Sequence, residues 1–399
     1  ENYIMGLFIV ILVITILLYS GINFYIGKRL WDGFVSNLNF VNFKIYWIIF
    51  FTIVFSYFIY AIISRLFKDV SILNRVFGFI GSYWMSIMVY SLLILLVIDI
   101  LRLVNYKLKI IDINEIFTTG NLMIFSGLII VFILGLMIYG TINAKNISIS
   151  EYNSIVTQNK SLSQNYNIVV ISDIHIGSFI SKKQVIESVN IINDLKPDIV
   201  IIAGDIVDDN IEPFENLGMD VEFKKIKSKY GVFGVLGNHD NFGKDVNKTI
   251  KVFKKSNINM LIDDRTQINN EINIIGRNDT SMTRAENLKR ASLDKLTDDI
   301  DKSKYTILVD HQPVEIESAD KNKVDLMISG HTHAGQFFPI GFITKRIFFN
   351  DWGQKRLNNV DVIVSCGLGT WGPPIRIGTK SEIVNIQIIN KVTTGQQKK

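Results

Sequence analysis

The chain has few of the residues that build disulfide or thiolate sites. Its 399 residues include a single cysteine, Cys366. One thiol cannot close an internal disulfide, and it excludes a zinc site made of several cysteines. Proline is also scarce, with six residues that all lie after residue 190. The two ends of the chain therefore differ in composition and are considered separately.

Charge is sparse in the first third of the chain. Residues 1–144 carry 9 Lys+Arg and 6 Asp+Glu, whereas residues 145–399 carry 33 and 31, a net charge of +2. A surface that binds nucleic acid needs an excess of basic residues. The nearly neutral second part therefore argues against a nucleic-acid partner.

Four long apolar segments occupy the charge-poor part, at residues 3–26, 45–64, 77–101 and 121–144. Each is long enough to cross the hydrocarbon core of a bilayer. A signal peptide is the alternative for the first segment, but no small-residue cleavage site follows it and further apolar segments do. The sequence therefore predicts a transmembrane domain of about four helices over residues 1–144, in an integral, multi-pass cell membrane protein.

The connections between these segments carry unequal numbers of basic residues. Six flank the first and third connections, and four flank the second connection and the end of the fourth segment. Because basic residues favour the cytoplasmic side of a membrane, the first and third connections are predicted to be cytoplasmic. Four spans place both ends of the region on one side, so the rest of the chain is predicted to be extracytoplasmic.

The pattern changes after residue 144. Residues 145–166 are polar and predict a linker, and residues 391–399 form a polar tail. Between them, residues 167–390 alternate short apolar strands with helical stretches, one of which Ser181 is placed to cap. Apolar strands that alternate with helices indicate a layered α/β domain.

All five histidines follow strand-like apolar runs and lie within two residues of an Asp, Asn or Gly. The blocks are Asp173-Ile174-His175, Gly204-Asp205-Ile206-Val207-Asp208, Gly237-Asn238-His239-Asp240, Asp310-His311 and Gly330-His331-Thr332-His333. The carboxyl ends of strands are where α/β sheets gather their sites. Imidazole, carboxylate and amide donors without a thiolate suit Mn, Fe, Co or Zn. The donors exceed what one ion needs and suffice for two.

These blocks, in this order, resemble the pattern of the calcineurin-like metallophosphoesterase superfamily. The resemblance covers about residues 165–390, and the four apolar segments are similar to the front end of its bacterial membrane-anchored branch. It implies an αββα-type domain and a hydrolase that uses two divalent metal ions. Mn, Fe or Zn would serve, and Mn is the ion expected to support activity in vitro.

The resemblance also implies a role for each donor. One ion would be held by Asp173, His175 and His333, the other by Asn238, His311 and His331, and Asp205 would bridge the two. A hydroxide shared by the ions would attack phosphorus. His239 would protonate the leaving group, and Asp240 would orient the His239 imidazole. Asp208 is expected beside the ligands rather than among them. Arg376 is expected to contact the substrate phosphate, with a structural arginine on the surface as the alternative.

The expected substrate is a phosphate ester or pyrophosphate, carried by a small molecule or by a lipid. The lipid alternative depends on residues 337–349, an apolar and aromatic stretch with Lys345 and Arg346 in its middle. Its aromatic side chains would enter the lipid interface, with the basic pair at lipid phosphates; a hairpin packed on the domain core is the other interpretation. A nuclease or cyclic-nucleotide phosphodiesterase, and an inactive metal-binding membrane module, are the competing functions.

Overall fold

The computed structural model describes residues 2–38, 40–66, 72–110, 112, 118–156, 160, 162–177, 180–243, 245–282 and 289–390. The polar tail predicted at 391–399 lies outside the described residues. Residue contacts divide the chain into two units, residues 1–139 and residues 140–399. Each unit is described by itself below.

Within its described residues, the first unit contains four long apolar helices, as predicted. They are α1 (Asn2–Gly33), α2 (Phe43–Leu66), α3 (Ile72–Leu108) and α4 (Thr119–Lys145), the last of which continues into the second unit. All four are long and apolar enough to be candidate membrane spans. Their few polar side chains pair with one another: the Trp84 indole donates to Asn23 over 2.8 Å, and Arg29 pairs with Asp99.

The second unit contains two six-stranded sheets. The first has the order β1-β12-β2-β3-β4-β5 and the second the order β10-β11-β9-β8-β7-β6. The strands are β1 (Ile147–Ile155), β2 (Tyr166–Ile171), β3 (Ile199–Ala203), β4 (Val232–Val235), β5 (Ile258–Met260), β6 (Asp264–Ile268), β7 (Ile272–Gly276), β8 (Tyr305–Val309), β9 (Leu326–Ser329), β10 (Gly353–Leu357), β11 (Val360–Val364) and β12 (Ser381–Ile389). Strands β2 to β5 run parallel, as do β7, β8, β9 and β11.

Eight shorter helices accompany these strands in the described part of the second unit. They are α5 (Lys182–Asp194), α6 (Glu212–Asn216), α7 (Met219–Phe223), α8 (Asn238–Phe242), α9 (Val246–Lys255), α10 (Leu293–Leu296), α11 (Ile316–Lys321) and α12 (Gly341–Ile347). Ser181 caps α5 by accepting from the Gln184 backbone N–H, as predicted.

Three apolar cores define the layers. One core joins residues of both sheets, such as Ile201 of β3 and Ile307 of β8. A second packs the first sheet against helices, including Phe253 of α9, and a third packs the second sheet against Leu293 and Leu296 of α10. The αββα-type architecture expected from the sequence is confirmed. It places the carboxyl ends of the central parallel strands together.

Part of the predicted linker at 145–166 is a strand. Strand β1 pairs in parallel with β12, from Ile147 opposite Ser381 to Ile155 opposite Ile389. Its buried positions are Ser150 and Ser154, whose hydroxyls bond to other buried polar groups. Serine occupies the buried positions while Ile149 and Ile155 are each 45% exposed. The buried apolar face expected of a strand is therefore missing, which is why the sequence predicts a linker here.

Candidate metal centre

The blocks singled out in the sequence lie directly after the central strands of both sheets. Asp173 and His175 follow β2, Asp205 follows β3, and Asn238 and His239 begin α8 after β4. In the second sheet, His311 follows β8, and His331 and His333 follow β9. The two sheets therefore contribute to one cluster from their facing edges.

A first group of three donors is fully enclosed. It consists of Asp173, His175 and His333, whose ligand atoms all lie within 4.8 Å of one another. The Nε2 atoms of the two imidazoles are 3.1 Å apart, and His333 Nε2 lies 3.4 Å from Asp173 Oδ1. The three side chains thus converge on one point.

A second group lies on the other side of Asp205. His311 Nε2 is 3.3 Å from Asp205 Oδ2, and His331 belongs to the same cluster of donors. The Asn238 side-chain oxygen lies 3.2 Å from His311 Nε2 and 2.8 Å from His331 Nδ1. Carboxylate, amide oxygen and two imidazoles therefore meet here.

Asp205 is in contact with both groups. Its Oδ2 atom lies 3.6 Å from His175 Nε2 in the first group and 3.3 Å from His311 Nε2 in the second. Its other oxygen accepts a 2.9 Å hydrogen bond from the His239 backbone N–H, which fixes the carboxylate. One buried carboxylate thus lies between two donor sets.

Backbone conformation concentrates strain at this cluster. Asp173, His175, Asp205, His331 and His333 all have φ between 48° and 71°, in the left-handed region. Non-glycine residues in that region cost on the order of 1–3 kcal/mol each and gather at functional sites. The turns aim these side chains inward in a way that ordinary strand ends would not.

Gly204 makes one of these turns possible. Its φ is +87°, and a Cβ atom there would lie 2.6 Å from His311 Nδ1 and 2.8 Å from the Gly237 backbone nitrogen. Only glycine combines this backbone angle with so close an approach. The glycine before Asp205 therefore allows strand β3 to deliver its carboxylate next to His311.

Comparison with known proteins identifies the family. The model of the calcineurin-like phosphoesterase family matches residues 166–335. An uncharacterized metallophosphoesterase of Aquifex aeolicus is 33% identical over 228 residues, which cover 56% of this chain and 85% of that protein. The chain belongs to the calcineurin-like metallophosphoesterase family. Members of this family are named metallophosphoesterases, the class of metal-dependent hydrolase that the sequence predicted.

Two further relatives of this metallophosphoesterase bear on its length and on the apolar helices. An uncharacterized metallophosphoesterase of Helicobacter pylori is 32% identical, and the match covers 58% of this chain but only 61% of that protein. A relative from Danio rerio is named a transmembrane protein with metallophosphoesterase domain; it is 28% identical, over 55% of this chain and 52% of its own. Together with the four apolar helices, this name supports a membrane protein.

The metallophosphoesterase's donors fit divalent metal ions. His175 Nδ1 and His333 Nδ1 are buried and have no hydrogen-bond partner among the described residues. Burial and the charge of His175 hold the pKa of His333 well below its ordinary value, and burial and the charge of His311 lower the pKa of His331 to about 4. Both rings are therefore neutral at pH 7, the form that binds a metal.

The two buried carboxylates of the metallophosphoesterase site also call for positive charge. Burial raises the pKa of Asp173. For Asp205 burial acts in the same direction, but the charge and hydrogen bond of His311 outweigh it and hold the pKa well below its usual range. An ionised carboxylate in a buried site requires cations around it. Bound dications would supply that charge to both residues.

His239 lies at the edge of the first group without completing it. Its Nδ1 atom is 2.8 Å from Asp209 Oδ1 and 3.3 Å from Asp208 Oδ1, and its ring lies edge-on to His175 with centroids 4.8 Å apart. Burial alone would lower the pKa of His239, but the two carboxylates and the charge of Asp205 raise it to about 10. The imidazole is therefore held by two carboxylates that favour its charged form.

The predicted contact of Asp240 with the His239 imidazole is wrong. Its carboxylate does not touch the His239 ring; it is fully buried and accepts from the backbone N–H groups of Ile206, Val207 and Gly237 at 2.9–3.0 Å. Asp240 therefore fixes the turn that carries Asp205. The His239 partner is Asp209, which sequence reasoning missed because only the fold of the 208–209 turn brings it across. The sequence signal for Asp209 was its position next to Asp208.

The predicted role of Arg376 also needs correction. The side chain is fully buried, so it is neither a surface arginine nor open to a substrate phosphate. Its Nη2 atom donates to the carbonyl oxygens of Cys366, Gly367 and Gly369 at 2.6–3.0 Å. These residues form a turn that passes beside Asp173, because the Gly369 N–H donates to the Asp173 carbonyl over 2.8 Å. Arg376 therefore holds in place the turn that lies beside the first group of donors.

Proposed function

We propose that this chain is a membrane-anchored, two-metal phosphohydrolase that cleaves a phosphate ester or pyrophosphate. The observation that carries this proposal is the position of Asp205 Oδ2, 3.6 Å from one imidazole-carboxylate group and 3.3 Å from another. A buried carboxylate shared by two sets of donors suits a pair of divalent ions.

Each proposed ligand has a place in the two sets. One ion would be held by Asp173, His175 and His333, the other by Asn238, His311 and His331, with Asp205 common to both. Bound ions of this kind polarise phosphoryl oxygens and make water a nucleophile near neutral pH. The donor set suits Mn, Fe or Zn, and Mn is the ion we expect to support activity in vitro.

The chain's own residues supply the remaining chemistry. Asp208 and Asp209 bind Nδ1 of His239, which leaves Nε2 to face a substrate. From that nitrogen His239 would donate a proton to the leaving oxygen as its bond to phosphorus breaks. Ala203 accepts from His311 Nδ1 over 2.8 Å and so holds the other ring nitrogen toward the site.

Turnover of p-nitrophenyl phosphate by the full chain in detergent, with and without added Mn, tests this function. We expect Mn-dependent hydrolysis that disappears in Asn238→Ala and persists in Val221→Ala, an exposed residue of the same domain. Binding of Mn without hydrolysis of this ester would instead favour the inactive metal-binding module. Hydrolysis confined to nucleic acid or cyclic nucleotides would favour the nuclease or phosphodiesterase alternative.

We propose further that α1 to α4 each cross the membrane and that the hydrolase domain is extracytoplasmic. The apolar lengths of the helices and the six-to-four distribution of basic residues in their connections support this arrangement. Protease treatment of intact cells provides the test. A domain that survives in intact cells and is digested only after permeabilisation would be cytoplasmic.

A membrane-borne substrate is the finer proposal, and helix α12 supports it. None of the residues of α12 is buried, and Phe342, Ile343 and Ile347 are 62%, 57% and 67% exposed. Lys345 and Arg346 on the same helix are exposed as well. An apolar helix with basic residues suits the interface of a bilayer that contains anionic lipid. Because α12 begins eight residues after His333, a lipid-linked phosphate held there would lie near the metal ligands.

The exposed face of α12 can be tested with a fluorescent label on Ile343→Cys. The full chain is reconstituted into vesicles that contain phosphatidylglycerol. Cys366 is buried, so it contributes little background. We expect quenching by brominated lipid at residue 343 and none at Val221→Cys, a matched exposed apolar position. Equal exposure of both labels to water would remove the support for a lipid-linked substrate.

A further inference from the structure

Two exposed aromatic rings frame the imidazole of His239. Phe242 lies edge-on to it with ring centroids 5.8 Å apart, and Trp371 does so at 6.3 Å. Both aromatic residues are 56% exposed. Large apolar side chains left in water forgo the favourable free energy of burial. Two such side chains lie beside His239, the residue that we place at the leaving oxygen. They therefore indicate a surface that binds a ligand.

Trp371 is held in this position by a buried neighbour of the metal ligands. The side-chain oxygen of Gln336 accepts from the Trp371 backbone N–H over 2.8 Å, and its amide donates to the carbonyl oxygens of Trp371 and Pro373, each over 2.9 Å. Gln336 is only 5% exposed and follows His333 by three residues. The exposed indole is thus carried by a backbone that is fixed to the turn bearing a ligand.

Phe242 is fixed from the opposite side of His239. It ends the short helix α8, which begins at Asn238 and contains His239, so the two rings lie three residues apart on one helix. A second element, the loop of Trp371, brings the other ring. The two aromatic side chains therefore reach His239 independently, from the turns of different strands.

We infer that Phe242 and Trp371 form the subsite for the leaving group and that they select an apolar one. This rests on the proposed hydrolase function. In the reaction, the bond between phosphorus and the leaving oxygen breaks and a bond to a water oxygen forms. The leaving oxygen takes a proton from the His239 imidazolium, and the proton released from the water restores that imidazolium. The departing alcohol passes between the two rings, where an apolar chain gains contact area and a polar one does not.

Ethyl phosphate and hexyl phosphate make a matched pair of substrates for a test. Their alcohols have nearly equal acidity, so His239 assists both alike, and they differ only by methylene groups. Partial burial at a rim gives about 2-fold per methylene. We therefore expect kcat/KM of the full chain with Mn to favour hexyl phosphate by roughly 10- to 20-fold, mainly through KM.

The variants are Phe242→Ala and Trp371→Ala, with Trp371→Phe as the conservative replacement. Phe338→Ala is the control, because Phe338 is an equally exposed aromatic residue at 54% and packs on Phe342 instead. We expect each alanine variant to reduce the preference about 3- to 5-fold, mainly by raising KM for hexyl phosphate. Trp371→Phe should restore most of the preference, and Phe338→Ala should leave it unchanged.

Four results would overturn the inference. An unchanged preference in both alanine variants, with both esters hydrolysed, would remove the subsite and leave the hydrolase function standing. An equal loss on both esters would show that the rings only support the fold. Failure of the wild-type chain to hydrolyse either ester with Mn, while p-nitrophenyl phosphate is still turned over, would refute the subsite alone. Failure on all three substrates would refute the hydrolase function itself, and the subsite with it.

Discussion

Replacing Asp205 with Asn alters the charge of the centre and little else. Asn has nearly the same volume, and its side-chain oxygen can still accept from the His239 backbone N–H, now 2.9 Å from Asp205 Oδ1. What it removes is the negative charge that lies 3.3 Å from His311. With metal present, both ions lose a shared carboxylate, so we expect fewer than two ions per chain and no measurable turnover.

The size of the effect on the metal-free protein follows from burial. Asp205 and His311 are both buried, and removing one member of a buried ion pair costs about 3–5 kcal/mol. For a domain of this size that lowers the melting temperature by about 6–20 °C. The charge of Asp205 raises the pKa of His311 well above its ordinary 6.5, against the effect of burial, while the pKa of Asp205 lies well below 3.8.

These shifts set the pH at which the variant should differ most. The depressed pKa of Asp205 stabilises the fold above pH 3.8, and the raised pKa of His311 stabilises it below pH 6.5, a contribution lost as pH rises through the folded value. Between those limits both contributions are present, so melting of chelator-treated protein should be compared near pH 6. The deficit of the variant should shrink at strongly alkaline pH.

Asp361→Asn provides the matched control. Asp361 is buried in the same domain, accepts from Ser154 over 2.6 Å and lies outside both donor groups. It should retain full metal content and turnover even if its melting temperature falls. An Asp205→Asn protein with two ions per chain and normal turnover would refute the assignment of Asp205, whatever its stability.

Three other residues give independent predictions. His239→Ala should keep its metal content and lose about 10²- to 10⁴-fold in turnover, with a smaller loss for p-nitrophenyl phosphate, whose leaving group needs no proton; loss of metal would make His239 a ligand. Arg376→Lys should lower the melting temperature by about 6–12 °C, because the lysine side chain is shorter and its ammonium cannot reach the three buried carbonyl groups that the guanidinium contacts, whereas an unchanged value would contradict the burial of Arg376. Burial and the nearby Glu382 raise the pKa of Cys366, so Ellman's reagent at pH 8 should label it only after unfolding, and rapid labelling of the native protein would contradict this.

The clustering of the candidate metal donors could be predicted because it depends on a regular rule. Parallel strands with apolar runs end at one edge of a sheet, so Asp, Asn and His residues after such runs meet there. The donors after β2, β3, β4, β8 and β9 all obey this rule. The local sequence is therefore enough to predict where the donors cluster. The resemblance to a family added their division between two ions.

Contacts that depend on tertiary packing could not be predicted in this way. Arg376 is buried because three carbonyl groups of the 366–369 turn converge on it, and no local pattern marks such convergence. Asp240 caps backbone N–H groups of another strand end, not the imidazole beside it in sequence. The left-handed backbone angles at Asp173 and the other donors likewise depend on the turns that follow the strands.

The two-metal centre is tested most directly by titrating the chelator-treated full chain with Mn. The same samples are then used for elemental analysis and for turnover of p-nitrophenyl phosphate. The shared position of Asp205 predicts that binding saturates at two ions per chain and that turnover appears as the second ion binds. Saturation at a single ion with full turnover, or two bound ions without turnover, would contradict it.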